Sequence, residues 1–164
     1  MPNWCSNILV IRGTKQQREN FKNKYCELVK VGWNDKEVLS ISFNKVIPEP
    51  TSIEECPEEY ILRTKEDARR EHLEWDENNP RKWFNWYKFH CNKWGCKWDC
   101  DPSNAEETDT ALKLHFATPW GPPYGIIVKF IEDNSGLKIS GRFDEPNMDL
   151  HGSYTYKNYQ KYFN

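Results

Sequence analysis

The hydrophobic positions in the first part of the chain predict a strand, a helix and a second strand. Residues 7–12 (NILVIR) are almost continuously apolar, as in a strand that is covered on both faces. Thr14 and Gln17 form a capping-box pair, and apolar residues recur at helical spacing from there to Gly32. Five residues that alternate between apolar and polar then predict the second strand: Leu39, Ser40, Ile41, Ser42 and Phe43.

Similar patterns return near the end of the chain. Residues 112–116 alternate between apolar and polar side chains, which predicts a third strand. A helical pattern begins after Pro123 and ends at residues 134–136 (NSG), a typical helix stop. Residues 137–143 alternate again and predict a fourth strand, and residues 154–156 indicate one more strand at an edge.

The segment between these two parts, residues 48–108, is rich in acids, prolines and tryptophans. Thr64 can cap one helix, and Asn79 before Pro80 can start another that runs to about Cys91. We therefore interpret this segment as a helical insertion.

Without the insertion, the predicted order of elements is β-α-β-β-α-β. This order predicts an α+β fold, a ferredoxin-like βαββαβ antiparallel sheet with the helical insertion between strands two and three. In such a sheet, strand one usually lies between strands three and four. A chain of 164 residues is expected to form one domain, residues 1–164.

Charge and composition disfavour several classes of partner. The 23 lysines and arginines against 25 acids give a net charge of -2, which disfavours non-specific nucleic-acid binding. No apolar run approaches the roughly 20 residues that span a bilayer, and the start MPNWCSN lacks the features of a signal peptide. We therefore expect a cytoplasmic protein with no membrane partner, whose six cysteines stay reduced.

The predicted topology brings three distant segments to one edge of the sheet. An antiparallel strand one starts where strands three and four end, so residues 3–7, 118–123 and 143–145 should meet. The second helix also begins at this edge, and helix starts attract anions. Because Pro122 and Pro123 lack N–H groups, we do not expect a strong phosphate site there.

Three motifs carry a resemblance that covers most of the chain: MPNWCSN at residues 1–7, NKWGCKWD at residues 92–99 and FATPWGPP at residues 116–123. Together they resemble the motifs of the YubB-like family, ferredoxin-like domain proteins encoded by phages, prophages and plasmids. The resemblance implies a mobile-element origin, a place in the host-cell cytoplasm, and a loop at residues 94–99 that joins the predicted edge. The candidate ligand-binding site then consists of Asn3, Trp4, Asn7, Trp94, Lys97, Trp98, Asp99, Thr118 and Trp120.

These residue types suit a nucleotide-like ligand. Indole faces stack on nucleobases for roughly 1–3 kcal/mol each, asparagine pairs with base edges, and lysine holds a phosphate. The alternative interpretation is structural, with Trp4, Trp98 and Trp120 packed against each other while Asn3 and Asn7 tie down turns. The two interpretations differ in whether the indoles line a cavity or fill a core.

Other chemistries find less support in the sequence. Thiol catalysis needs an adjacent base, but His90 and Cys91 are neighbours on a predicted helix and point in different directions. The RNA-recognition module displays aromatic rings where the predicted third strand has Lys113 and His115. No metal or cofactor is expected, because the potential metal ligands lack the spacing of a zinc site: His90, Cys91, Cys96, Cys100 and His151.

The leading hypothesis is a non-enzymatic protein that sequesters a small nucleotide-like molecule, such as a host defence signal, without catalytic residues. A second hypothesis is a protein-protein inhibitor or adaptor that engages a host protein through the acidic stretch from Glu54 to Glu77. A third is a small hydrolase that uses Asp99 with Asp144 or Glu145. A homodimer is compatible with all three, because open sheets of this kind often pair through a face.

Overall fold

The computed structural model describes residues 3–32, 35–70, 72–78 and 82–162. Its first elements are β1 (Trp4–Arg12), α1 (Lys15–Tyr25), β2 (Cys26–Val31), β3 (Lys36–Ile41) and α2 (Phe43–Val46). The middle elements are β4 (Ile61–Leu62), α3 (Lys65–Arg70), β5 (Trp83–Phe84), α4 (Trp86–Phe89) and a π-helical turn (His90–Trp94). The last elements are β6 (Asp101–Glu107), β7 (Ala111–Pro119), α5 (Tyr124–Asp133), β8 (Lys138–Glu145) and β9 (Leu150–Thr155). Within the described residues, every helix is too short or too polar to cross a membrane.

Five strands form one antiparallel sheet in the order β6-β7-β1-β8-β9, which gives the protein a mixed α+β architecture. Alternation divides the side chains of the central strand, β1, between two faces. Leu9 and Ile11 point to the covered face, where they belong to one buried cluster with apolar residues of both long helices, including Phe130. The even-numbered residues from Trp4 to Arg12 lie on the opposite face, which we call the open face.

The strand register confirms the predicted meeting of strand ends. Trp4 lies opposite Pro119 on β7, and Ser6 lies opposite Asp144 on β8. The predicted third strand, second helix and fourth strand are present as β7, α5 and β8. The start of β1 therefore lies between the ends of the two strands that flank it.

The predicted strand two is present over residues 39–41 as part of β3, but its predicted place in the sheet was wrong. Residues 39–43 do not enter the large sheet, because β3 pairs with β2 in a separate hairpin and Phe43 begins α2. Ser40 and Ser42, the polar positions of the alternation, are both buried, and the Ser40 hydroxyl donates to the carbonyl oxygen of Ile41. Period-two alternation identifies a strand, but it does not select the strand with which it pairs.

The edge position beside β7 belongs to β6, which lies inside the segment predicted to be helical. Its sequence, DPSNAEE, contains no large apolar side chain, so no periodicity marks it as a strand. The register with β7 shifts between Pro102 and Asn104, and such a bulge is typical of a strand edge that contains proline. Backbone pairing with β7, rather than a pattern of side chains, therefore defines this strand.

The first helix is shorter than predicted. Its capping box is confirmed, because the Gln17 N–H donates to Thr14 Oγ1 at 3.2 Å and the Thr14 N–H donates to Gln17 Oε1 at 2.8 Å. The helix ends at Tyr25 instead of continuing to Gly32, since residues 26–31 pair with β3. The apolar positions of the sequence CELVKV are compatible with the period of a helix and with that of a strand, and hydrogen bonding across the β2–β3 hairpin selects the strand.

The segment between β3 and β6 is not mainly helical. Thr64 caps α3 as predicted, because its Oγ1 accepts the Asp67 N–H at 3.1 Å. Asn79 and Pro80, the predicted start of the next helix, lie outside the described residues, and the helix found in this stretch is α4, capped by Asn85. The β4–β5 hairpin and irregular connections make up much of the remaining chain.

Candidate functional site

Trp4 and Trp98 form an aromatic pair at the start of β1. Trp4 is the first residue of the strand and lies on the open face, while Trp98 comes from the loop after the π-helical turn. The ring centroids are 6.5 Å apart and the ring planes meet at 36°. Because the two residues are 43% and 39% exposed, the pair presents its rings to solvent instead of filling a core.

Trp120 lies at the same end of the sheet, directly after β7. Its backbone N–H donates to the carbonyl oxygen of Asn3 at 2.8 Å, which joins the two chain segments. The backbone of Trp120 has a φ of 71°, in the left-handed region that bulky residues rarely adopt. In this turn, the residue is 50% exposed.

Lys97 places a positive charge beside these rings. Its Nζ lies 4.5 Å from the ring centroid of Trp98 and 5.7 Å from that of Tyr87, both within cation-π distance. The backbone of Lys97 is held from inside the protein, since its carbonyl oxygen lies 2.7 Å from Nδ1 of the buried His90. We call the resulting surface the tryptophan edge, formed by Asn3, Trp4, Lys97, Trp98 and Trp120.

Asn7 and Thr118 lie on the covered face of the sheet, below the tryptophan edge. Thr118 Oγ1 accepts a hydrogen bond from Asn7 Nδ2 at 2.8 Å and donates to the carbonyl oxygen of Gly121 at 2.7 Å. Asn7 Nδ2 also donates to the carbonyl oxygen of Cys5 at 2.9 Å. Both side chains are buried, so they support the backbone of the edge rather than present polar groups to solvent.

Trp94 is a core residue. Its indole stacks on His90, with centroids 3.6 Å apart and planes only 11° from parallel. Its Nε1 donates to the carbonyl oxygen of Ile47 at 2.9 Å, and His90 Nε2 lies 2.5 Å from Oε1 of Glu49. Trp94 therefore anchors the π-helical turn in the interior, and its ring is not part of the exposed surface.

Two glycines allow the loop at residues 94–99 to reach the edge. Gly95 has a left-handed φ of 87° and packs on the start of α5, where a Cβ atom would lie 2.5 Å from the backbone nitrogen of Tyr124. Gly125, in the first turn of α5, packs against the backbone of the same segment, and a Cβ atom there would overlap the carbonyl oxygen of Lys93. The backbone of residues 93–95 thus covers the first turn of α5.

The Asp99 carboxylate accepts hydrogen bonds from backbone N–H groups, one of them at the start of α2. The Phe43 N–H donates to both carboxylate oxygens, at 3.1 and 3.0 Å, and the Cys100 N–H donates to Oδ1 at 2.8 Å. Although the residue as a whole is exposed, its carboxyl oxygens point at these backbone groups. Loss of solvent around the carboxyl group raises its pKa from 3.8 to about 6, and the two N–H bonds partly oppose that rise.

Trp86 and Tyr87 on α4 extend the exposed aromatic surface, and sequence reasoning did not assign them to the site. Trp86 is 39% exposed and packs edge-on against Tyr87, with centroids 6.0 Å apart. Because Lys97 lies within reach of both Tyr87 and Trp98, exposed rings continue from the tryptophan edge onto α4. The density of tryptophans was a sequence signal, but a four-residue helix is too short for periodicity to show which rings face outward.

Four cysteines are kept in the thiol form near neutral pH. Burial raises the pKa of Cys5 to about 11, that of Cys26 and of Cys100 to about 12, and it also raises the pKa of Cys96. Since the thiolate is the nucleophile, these thiols are poorly suited to catalysis. In the described ranges of the chain, no three His, Cys, Asp or Glu side chains are grouped so that they could hold a metal ion.

The tryptophan edge is a surface rather than a deep pocket. A cavity in the described part of the chain lies on the open face of the sheet, and its lining includes neither Trp4 nor Trp98 nor Trp120. A ligand at the edge would therefore be held by exposed ring faces and one lysine.

Comparison of the chain with family models, with curated proteins and with solved structures found no match.

Proposed function

We propose that this chain is a non-enzymatic binding protein that captures a small nucleotide-like molecule at the tryptophan edge. The observation that carries the proposal is the exposed pair Trp4 and Trp98, with the Lys97 ammonium group 4.5 Å from the Trp98 ring centroid. When a flat apolar surface covers an exposed indole ring, it removes the ring from water, and this stabilises the complex. An adjacent cation adds attraction for a phosphate group on the same ligand.

The separation of the two indoles suits one planar ring. Aromatic atoms in contact lie about 3.5 Å apart, so a ring held between two others needs centroids about 7 Å apart. Trp4 and Trp98 are 6.5 Å apart and tilted by 36°, so a small movement of Trp98 on its loop is enough to admit a ring. Stacking of this kind contributes roughly 1–3 kcal/mol for each base.

Two of the three carboxylates named in the hydrolase hypothesis, Asp99 and Glu145, make internal hydrogen bonds, whereas the third, Asp144, is exposed. Asp99 accepts backbone N–H groups at the start of α2. Glu145 is fully buried, and its Oε1 accepts hydrogen bonds from both the backbone N–H and the side-chain amide of Asn147. A catalytic carboxylate must reach its substrate, so these contacts favour binding over hydrolysis.

A ferredoxin-like fold is part of the proposal. The strand order β8-β1-β7-β6, with α1 after β1 and α5 after β7, follows the βαββαβ arrangement when β6 is counted as the second strand. The strand β9 and the two hairpins are then additions to that core. The three motifs that resemble the YubB-like family support a mobile-element origin and a role in the host-cell cytoplasm, where sequestration alone would silence a nucleotide-like defence signal.

Titration calorimetry against linear and cyclic mononucleotides and dinucleotides tests this proposal. We expect binding by at least one member of the panel, accompanied by quenching of tryptophan fluorescence. The variant Trp98→Ala should weaken that binding at least tenfold, because one stacked face is worth roughly 1–3 kcal/mol. The matched control is Trp75→Ala, which removes one indole of a second tilted pair, Trp75 and Trp83, whose centroids are 6.0 Å apart.

The absence of heat with every nucleotide at high protein concentration would refute the proposal. Equal losses in Trp98→Ala and Trp75→Ala would also contradict it, since the effect would then come from general destabilisation. Catalytic turnover of the bound nucleotide would instead support the hydrolase hypothesis.

A host protein is the second candidate partner, favoured by the continuation of exposed rings onto Trp86 and Tyr87. Aromatic residues of this kind carry much of the binding energy at protein interfaces. Deleting the acidic stretch from Glu54 to Glu77 is a poor test, because that stretch includes the buried Tyr60. The double substitution Glu66→Lys/Glu74→Lys changes exposed side chains only, and it should abolish capture of a host protein while leaving nucleotide binding intact.

A further inference from the structure

The open face of the sheet contains a cavity of about 530 Å³. Ile8 and Val10 of β1 line it, and both are only half-buried. Lys113 and His115 of β7 stand on one side, and Ser153 belongs to the other side on β9. Sites for small organic ligands usually measure about 300–1,000 Å³, so the cavity has room for a molecule of nucleotide size.

The lining of this cavity carries more positive than negative charge. Arg12 and Arg142 both line it, and neither forms an ion pair or a side-chain hydrogen bond with any described residue. Lys113 and His115 share a single carboxylate, Glu106, at 3.8 and 3.4 Å. Guanidinium groups without a carboxylate partner are well suited to hold a phosphate, which they can bind through two parallel hydrogen bonds.

His115 supplies a second, independent observation. Its Nε2 atom is shielded from solvent and has no hydrogen-bond partner, since the contact with Glu106 lacks hydrogen-bond geometry. A shielded polar atom without a partner costs free energy unless something bonds to it. His115 also lines the cavity, and a rotation of its imidazole ring would present this atom to a ligand oxygen there.

We propose that this cavity is a binding site for a small phosphate ester of about nucleotide size, separate from the tryptophan edge. Arg142 lies opposite Ile8, four residues from Arg12, so the two arginines bind phosphate groups from different ends of the cavity. The apolar side chains of Ile8 and Val10 contact the uncharged part of the ligand. Ile8 is four residues from Trp4 on the same strand, which is a distance of roughly 13 Å. The inference therefore does not depend on the proposed function of the tryptophan edge.

Two other occupants fit this face less well. Single-stranded nucleic acid is usually held by aromatic rings on the central strands, whereas Ile8, Val10, Lys113 and His115 occupy those positions here. A second copy of the chain, packed face to face about a two-fold axis, would bring one set of unpaired arginines toward the same set on its partner. Like charges placed in that way oppose association.

Calorimetry with tripolyphosphate, which contains no ring, tests the site directly. We expect binding to the wild-type protein that weakens at least tenfold in Arg12→Ala/Arg142→Ala and also weakens as salt is added. The control is Arg69→Ala/Arg70→Ala, which removes the same charge from α3, outside the sheet. Trp98→Ala should bind tripolyphosphate as the wild type does, and in that variant ADP should bind at least as tightly as tripolyphosphate.

Several results would overturn the inference. One is the absence of tripolyphosphate binding, and another is an equal loss in the two arginine double variants. A short single-stranded oligothymidine that binds more tightly than ADP would indicate a nucleic-acid surface instead. A dimer in sedimentation that dissociates in Arg12→Ala/Arg142→Ala would assign the face to a second copy of the chain.

Discussion

Asn7 Nδ2 donates to Thr118 Oγ1 at 2.8 Å, and this buried bond joins β1 to β7 directly below the tryptophan edge. The Thr118 hydroxyl in turn donates a hydrogen bond to the Gly121 carbonyl oxygen at 2.7 Å, in the turn that contains Trp120. Two strands and one strained turn are therefore linked through a single oxygen atom. Asn7 Oδ1 is shielded and has no partner, so the amide depends on the bonds that its nitrogen makes.

Replacing Thr118 with valine should destabilise the protein by about 1–3 kcal/mol, because a buried donor and a buried acceptor lose their partner while the side chain keeps its shape. Urea unfolding measures the loss. The matched control is Thr110→Val in the exposed turn between β6 and β7, where a change of less than about 0.5 kcal/mol is expected. Similar losses in the two variants would mean that the Asn7–Thr118 bond contributes little.

Gly125→Ala should cost about 3 kcal/mol, because the new methyl group would overlap the carbonyl oxygen of Lys93. The usual gain from alanine in a helix is smaller than this cost. We also expect the loop that carries Trp98 to shift, which near-ultraviolet circular dichroism would detect as a change in the tryptophan signal. Gly121→Ala is the control, since its Cβ atom would meet only ordinary contacts at 3.5 and 3.6 Å. Unchanged stability in Gly125→Ala would disprove close packing of the π-helical turn on α5.

Asp99 should make the protein less stable as the pH rises from about 4 to about 6. Its folded-state pKa is raised to about 6 from 3.8, so the folded protein holds a proton that the unfolded chain releases. Relative to Asp99→Asn, the wild type should lose on the order of 1 kcal/mol across this range, a value reduced for partial solvent screening. Thermal unfolding of both proteins from pH 4 to pH 7 measures the difference.

Asp67→Asn provides a comparison in which stability depends on pH in the opposite direction. The Thr64 hydroxyl lowers the pKa of Asp67, so its stabilising effect is present above the ordinary pKa and lost as the pH falls below it. Between about pH 5 and pH 7, the difference in stability between the wild type and Asp67→Asn should stay constant, while the difference between the wild type and Asp99→Asn should change. A constant difference for Asp99→Asn over the same range would contradict the raised pKa of Asp99.

The raised pKa values of Cys5, Cys26, Cys96 and Cys100 predict slow thiol chemistry in the folded protein. At pH 8, a disulfide-exchange reagent should react with these thiols at least tenfold more slowly than in urea. Peptide mapping after a brief pulse of a thiol alkylating agent identifies the residues that react. Rapid labelling of Cys5 before unfolding would show that the start of β1 opens readily.

Much of the sheet was predictable because its elements carry local signals. β1, β7, α5 and β8 each bury several apolar side chains at the spacing of their element, and the capping box at Thr14 marks the start of α1. The meeting of Trp4 with Pro119 followed from antiparallel pairing, once the strand order was assumed. These features depend on neighbours in sequence or on general rules of sheet topology.

The candidate site was predictable only in part. Trp4, Trp98 and Trp120 reach one exposed edge, but Trp94 is buried although it is only four residues from Trp98. No periodicity distinguishes the two rings, because the π-helical turn ends at Gly95 and the chain then changes direction. The contact of Gly95 with α5 decides which ring faces solvent.

By itself, the sequence determined which stretches form the central strands and long helices, since burial periodicity and capping are written into adjacent residues. Only the tertiary structure decided that β3 pairs with β2 and that β6, which has no large apolar side chain, pairs with β7. Strand partners are chosen by long-range backbone hydrogen bonds, which local side-chain patterns do not encode. The same applies to the open face, where the pairing of β1 with β8 places Arg142 opposite Ile8 and so brings it to the cavity that Arg12 also lines.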